Sequence, residues 1–166
     1  MVRHVAEIAL AAHADSVHVV LGAEAKQVES ALKDLRLVIV RNPGWKEGIS
    51  SSIREGIHAL PDSIDGALVL LCDQPMIKTE LVDTIIESFA ATKKSIVSCE
   101  YGGGVGVPAL FERSLFPQLL ALKGDRGAKQ ILESHIDDAV RIPFPGGTVD
   151  IDTEDSIDSV NPLLSG

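Results

Sequence analysis

Along the chain, apolar positions repeat at helical spacing in some stretches and gather into short β-branched runs in others, so helices and strands are predicted to alternate. Val5, Ile8, Ala9 and Ala12 mark one face of a first helix, followed by a strand over Val17–Leu21 and a helix over Ala25–Leu32. A second strand is predicted at Leu37–Val40, then a loop at Arg41–Gly48 and a helix over Ser50–Leu60 with Ile53 and Ile57 inward and Pro61 as its stop. The run Gly66–Leu71 is apolar without alternation, the pattern of a central strand covered on both faces. A helix at Thr79–Ala91 and a strand at Ser95–Cys99 follow.

The later part is less regular. It predicts a short strand near Pro108–Phe111, helices around Ser114–Leu122 and Gly127–Ser134, and strands near Ala139–Ile142 and Thr148–Ile151. A last short helix would be capped by Thr153, with Glu154 and Asp155 in its first turn. The expectation is one α/β domain spanning residues 1–166.

A formal charge of -9 removes the Lys and Arg clusters that grip a nucleic-acid backbone, yet leaves room for small anions held by helix N-termini, backbone amides or a metal ion. Cys72 and Cys99 are far apart and lie in apolar runs, so buried free thiols and a reducing, cytoplasmic setting are expected. No apolar run is long enough to span a bilayer.

In open α/β sheets ligands sit beyond the carboxyl ends of strands, which directs attention to Asp73 in the turn Cys72-Asp73-Gln74-Pro75. It reads as a ligand carboxylate or as a turn aspartate capping the next helix. Asp150 and Asp152 lie two apart within an acidic cluster and could share a cation such as Mg²⁺, or could simply favour a helix N-terminus. Asn42-Pro43-Gly44-Trp45-Lys46-Glu47-Gly48 leads into Ser50, Ser51 and Ser52, placing hydroxyls and free amides at a helix start, as an oxygen-rich ligand or a plain capping cluster would need. The Gly102–Gly106 stretch calls for a tight turn or close approach to a ligand. Arg126 and Lys129 stand at a helix start, against the dipole preference. The five histidines show no zinc spacing and no link to a nucleophile.

Taken in order, NPGW-x-x-GISSSI-x-x-G, LLCDQP, GVGVP-x-LF, GD-x-GA and DIDT-x-D resemble the MobA-like nucleotidyltransferases, over essentially the whole chain from Arg3 onward. The GISSSI form is most similar to the molybdenum cofactor cytidylyltransferase branch. The resemblance implies a three-layer Rossmann-like fold with a mostly parallel sheet, and transfer of CMP from CTP to molybdopterin with loss of pyrophosphate. It implies Asp73 as a magnesium ligand and Asp152 or Asp150 as the later metal-site acid. It also implies nucleotide binding by Asn42 and Ser50–Ser52, and contact with the phosphorylated pterin by Gly106, Val107, Pro108, Gly124, Asp125 and Gly127. A molybdoenzyme or a second copy is an implied partner.

The family opens with a first strand and a loop LAAGxSxRMGxxK, whereas Met1–Val5 is similar to the helix that follows that loop. Met1 is therefore expected to be an internal methionine of a longer protein, and a strand-wide gap is expected beside Val17–Leu21, weakening the core or recruiting a substitute strand. Two other readings follow from the same residues: an inactive remnant that still binds nucleotide or pterin, and a related guanylyl or sugar-phosphate nucleotidyltransferase.

Overall fold

The computed structural model describes residues 1–148. Helices and strands alternate: α1 (Val2–Ala11), β1 (His18–Leu21), α2 (Ala25–Leu32), β2 (Val38–Arg41), α3 (Ile49–His58), β3 (Gly66–Val69), α4 (Thr79–Thr92), β4 (Ile96–Tyr101), β5 (Gly104–Glu112), α5 (Phe116–Leu120), α6 (Lys129–Ser134) and β6 (Val140–Pro143). Short 3-10 turns lie at Trp45–Glu47, Arg113–Leu115 and Pro145–Thr148. The fold is α/β, as the alternating pattern requires. Thr148 closes a 3-10 turn, while the rest of the strand expected at Thr148–Ile151, the helix expected after Thr153, and Asp150 and Asp152 lie outside the described residues.

The strands form two sheets: β1 pairs with β2, and the second has the order β3-β5-β4-β6. The β1–β2 and β4–β6 ladders are parallel, whereas β5 runs antiparallel to both β3 and β4. Gly102 and Gly103, with φ of 58° and 77°, make the hairpin turn that reverses the chain between β4 and β5.

Strand residues alternate between two cores, which is how one sheet carries helices on both faces. Ile96 and Phe111 point to a cluster with Ile53 and Ile57 of α3, Leu119 of α5 and Ile131 and Leu132 of α6. Their neighbours Val97 and Leu110 point the other way, against Val82 and Ile85 of α4 and against Phe144. This gives the expected three layers.

Among the described residues β1 and β3 belong to separate sheets and do not pair with each other. There β1 pairs only with β2 and β3 only with β5, so one edge of each is open. All four residues of β3 are only half-buried, although an unbroken apolar run predicts a fully covered strand. The open edge is the physical reason.

Candidate active site

Asn42 follows β2 and is 3% exposed, with its backbone N–H bonded to the Leu21 carbonyl. Its amide is fully used. Nδ2 donates to Ser51 Oγ at 2.8 Å and Ser52 Oγ at 3.0 Å, and Oδ1 accepts from Gly44 N at 2.9 Å. Asn42 thereby ties the end of β2 to the first turn of α3 and sets the path of the Gly44–Gly48 loop. Ser51 Oγ donates to the Gly48 carbonyl at 2.8 Å, so its hydroxyl closes the same turn. Trp45 is 41% exposed and packs so closely on Gly22 that a Cβ there would lie 2.7 Å from Trp45 Cβ.

Ser50 differs from its two neighbours. It is fully buried, and its Oγ has no hydrogen-bond partner among the described residues. Its backbone N–H donates to the Gly124 carbonyl at 3.1 Å, which draws the Gly124–Gly127 loop onto the start of α3. Gly48 sits between them with φ 109° and ψ 177°, and a Cβ there would fall 2.1 Å from Asp125 Oδ1 and 2.8 Å from the Gly124 backbone. Gly127, at φ 56°, packs on Ile49, whose Cγ2 would lie 3.0 Å from a Cβ there. Residues distant in sequence are thus one cluster: Asn42, Ser50, Ser51, Ser52, Gly124, Asp125 and Gly127. The arginines beside it are already occupied. Arg54 donates to Glu47 Oε2 at 2.6 Å and to the Leu122 carbonyl at 2.7 Å, and Arg126 donates to Glu133 Oε2 at 2.9 Å.

Asp73 lies four residues beyond the end of β3, since the strand ends at Val69 where the pattern predicted Leu71. Its Oδ1 is buried and has no hydrogen-bond partner among the described residues. A buried carboxylate oxygen without a donor is costly, and a cation or a bound donor would relieve it. The next residue, Gln74, is 2% exposed and anchors the turn to the other wall: Nε2 donates to the Val107 carbonyl at 3.1 Å and to Tyr101 Oη at 3.3 Å. Tyr101 Oη donates to the same Val107 carbonyl at 2.8 Å. Sequence reading passed over Gln74 and Tyr101. The only signal for either was position, one beside the strand-end aspartate and the other at the root of the glycine hairpin.

Of the residues expected to meet a pterin, Gly106 and Val107 are half-buried on β5. Pro108 is fully buried and serves packing. Gly106 faces the Tyr101 hydroxyl, which a Cβ would meet at 2.2 Å, so this glycine is required by a neighbouring side chain. Cys99 is buried as expected, and burial pushes its thiol up to about 12. Cys72 is a correction: it is exposed, because β3 ends before it and the turn carries it outward.

The α3 start and the Asp73 turn meet at one cavity of about 310 Å³, lined by Ile49 and Ser52 on one side and by Leu71 and Cys72 on the other. Residues 1–140 match the family described as the MobA-like NTP transferase domain. The chain belongs to that family. It is 29% identical over 125 residues to the purine catabolism protein PucB of Bacillus subtilis, a match covering 74% of this chain and 58% of PucB. The chain therefore spans less than two thirds of that relative. The solved structure of Rv0371c from Mycobacterium tuberculosis is 26% identical, with a TM-score of 0.77 over 99% of this chain and 83% of that one. A manganese complex of Rv0371c gives 26% identity and a TM-score of 0.76 over 95% of this chain and 84% of that one. A nucleotidyl transferase from Methanothermobacter, at 23% identity, shares the fold with a TM-score of 0.80 over 98% of this chain and 79% of that one. Among the described residues no helix is long and apolar enough to cross a membrane.

Proposed function

We propose that this chain carries the nucleotide site of a transferase that moves CMP from CTP to a phosphorylated pterin of the molybdopterin type, releasing pyrophosphate. The observation that carries the reading is the orphaned Oδ1 of Asp73, in a turn beyond the carboxyl end of β3 and next to Cys72, which lines a cavity together with Ile49 and Ser52 of α3. The Ser52 hydroxyl at the start of α3 lines the cavity and suits the nucleotide, and the Gly124–Gly127 loop suits the acceptor. A terminal phosphate oxygen of the acceptor attacks the α-phosphorus in line, and the bond to the pyrophosphate oxygen breaks. That nucleophile is already ionised, so no histidine base is needed, and catalysis rests on positioning and charge neutralisation.

The Asp73 carboxylate fits Mg²⁺, which takes one or two protein carboxylates and fills its shell with water and phosphate oxygens; Asp152 or Asp150 would supply the second. When bound, the cation neutralises charge on the phosphate oxygens. The manganese complex of Rv0371c supports divalent-metal use by a similar protein. The GISSSI form supports CTP over GTP, and the likeness to PucB, a purine catabolism protein, supports a role in purine breakdown. A second reading, nucleotide or pterin binding without turnover, is favoured by the engagement of Arg54 and Arg126 by carboxylates, which leaves them poorly placed to neutralise phosphate. Incubation of the chain with molybdopterin, CTP or GTP, and Mg²⁺, followed by measurement of pyrophosphate, separates the two. Release with CTP supports the transferase; nucleotide binding with no release in any combination leaves the binding-only reading.

A further inference from the structure

Asp73 and Gln74 are neighbours that each bury an oxygen no described residue serves, Oδ1 of the first and Oε1 of the second. The Gln74 amide nitrogen, by contrast, is engaged: it donates to the Val107 carbonyl at 3.1 Å and to Tyr101 Oη at 3.3 Å. The side chain thus uses its donors and forgoes its acceptor. A buried acceptor left without a donor costs stability, so packing alone does not account for an amide here.

The Val107 carbonyl can take these bonds because β5 bulges. Ser98 of β4 pairs with Ala109 and Cys99 with Gly106, which leaves Val107 and Pro108 without partners on β4. On the other side β3 stops at Val69, opposite Ala109. A bulge beside a site re-aims the chain, and this one offers a main-chain oxygen to the residue that follows Asp73. The anchor is tightly held. Tyr101 donates to the same carbonyl at 2.8 Å, and a Cβ at Gly106 would lie 2.2 Å from its hydroxyl, one at Gly147 2.4 Å from its Cδ1. The Phe144 ring meets Tyr101 edge-on, with centroids 6.0 Å apart.

No described residue donates to Asp73 Oδ1, so the placement of this carboxylate depends on its main chain. Gln74 is 2% exposed, out of reach of a ligand, and its effect passes through the main chain it shares with Asp73. We infer that Gln74 is a positioning residue: its amide ties the turn to Val107 and holds the Asp73 carboxylate in place for a divalent cation. The inference rests on the proposed reading of Asp73 as a metal carboxylate. It links that carboxylate to β5, the strand expected to meet the acceptor.

Stability and cation affinity should therefore separate. Gln74→Met keeps the bulk of the side chain, and Val107 retains the bond from Tyr101. One hydrogen bond is lost and one orphaned acceptor is removed, changes of opposite sign, so Tm should stay within about 4 °C of the parent value. Cation affinity should fall about tenfold, the lower end for a residue that orients a metal ligand. The test titrates the full chain, Asp73→Asn and Gln74→Met with Mn²⁺ alone, reading free Mn²⁺ by electron paramagnetic resonance, and records the Tm of each. Asp73-dependent binding that weakens about tenfold in Gln74→Met at a maintained Tm is the expected result. Equal affinity of Gln74→Met and the parent, with Asp73→Asn weaker, would overturn the role of Gln74 and leave the reading of Asp73 standing. Weaker binding with a Tm decrease beyond about 4 °C would make Gln74 a packing residue and also overturn it. No Asp73-dependent binding by the folded parent chain would overturn both.

Discussion

Gly48→Ala tests how the two halves of the candidate site are held together. At φ 109° and ψ 177° Gly48 occupies backbone space open essentially to glycine alone, so any side chain costs about 1–3 kcal/mol in strain. The new methyl would also lie 2.1 Å from Asp125 Oδ1 and 2.8 Å from the Gly124 backbone. The Asp125 carboxylate can swing away, but the Gly124 main chain has to move, adding about 1–3 kcal/mol. A total of about 2–6 kcal/mol, at roughly 2–4 °C per kcal/mol for a chain of this size, gives a Tm decrease of roughly 4–24 °C. Gly103→Ala is the matched control, because its φ of 77° also favours glycine but a Cβ there meets nothing within 4 Å. It should cost only the strain of about 1–3 kcal/mol. Differential scanning calorimetry of both variants measures the difference. A Tm for Gly48→Ala no lower than that of Gly103→Ala would refute the idea that the Gly124–Gly127 loop is packed on the start of α3.

Tyr101→Phe removes the hydroxyl that donates to the Val107 carbonyl and accepts from Gln74, and should lower stability by about 1 kcal/mol, read as the denaturant midpoint at constant m. His18 lines the cavity of about 310 Å³, and burial lowers its pKa below the usual 6.5. The unfolded chain then takes up the proton first, so this contribution to stability is present above pH 6.5 and lost as pH falls through the folded value. Thermal melts from pH 7.5 to 5 should show a smaller Tm decline for His18→Val than for the parent chain. At the surface, Asp34 is held down to about 2 by the guanidinium of Arg3, which donates to both carboxylate oxygens at 2.7 Å. Its depressed pKa stabilises the fold above pH 4 and ceases to do so as pH falls towards 2, so Asp34→Asn should flatten the acid limb of the stability curve.

Much of the fold was legible because α1–α4 and the first strands follow local periodicity, and their observed bounds differ from the pattern by a few residues. β5 was less legible. Its glycines read as a tight turn and only Pro108–Phe111 as strand, yet it spans Gly104–Glu112, because antiparallel pairing with β3 and β4 overrides local propensity. Tertiary context also decides Gly66–Leu71, whose apolar run predicted full burial but which borders the cavity. At the site, motif order identified the Asn42–Ser52 and Gly124–Gly127 segments, and the structure brings them together. It could not show that Asn42 and Ser51 are occupied in holding the turn while Ser50 is unpartnered, since that depends on which rotamers the fold allows. Gln74 and Tyr101 were invisible for a related reason: they act through a carbonyl on a strand more than thirty residues from Gln74.

The most direct test of the account is calorimetric titration of the chain and of Asp73→Asn with CTP in the presence and absence of Mg²⁺. The substitution keeps the shape of the side chain and removes the buried, unpartnered anionic oxygen, so Tm should hold steady or rise while CTP affinity falls at least tenfold. Saturable CTP binding by the parent chain that needs both Mg²⁺ and Asp73 is the predicted result. Equal CTP affinity for the two proteins, with Mg²⁺ making no difference to either, would contradict the assignment of Asp73 as the carboxylate of the nucleotide site.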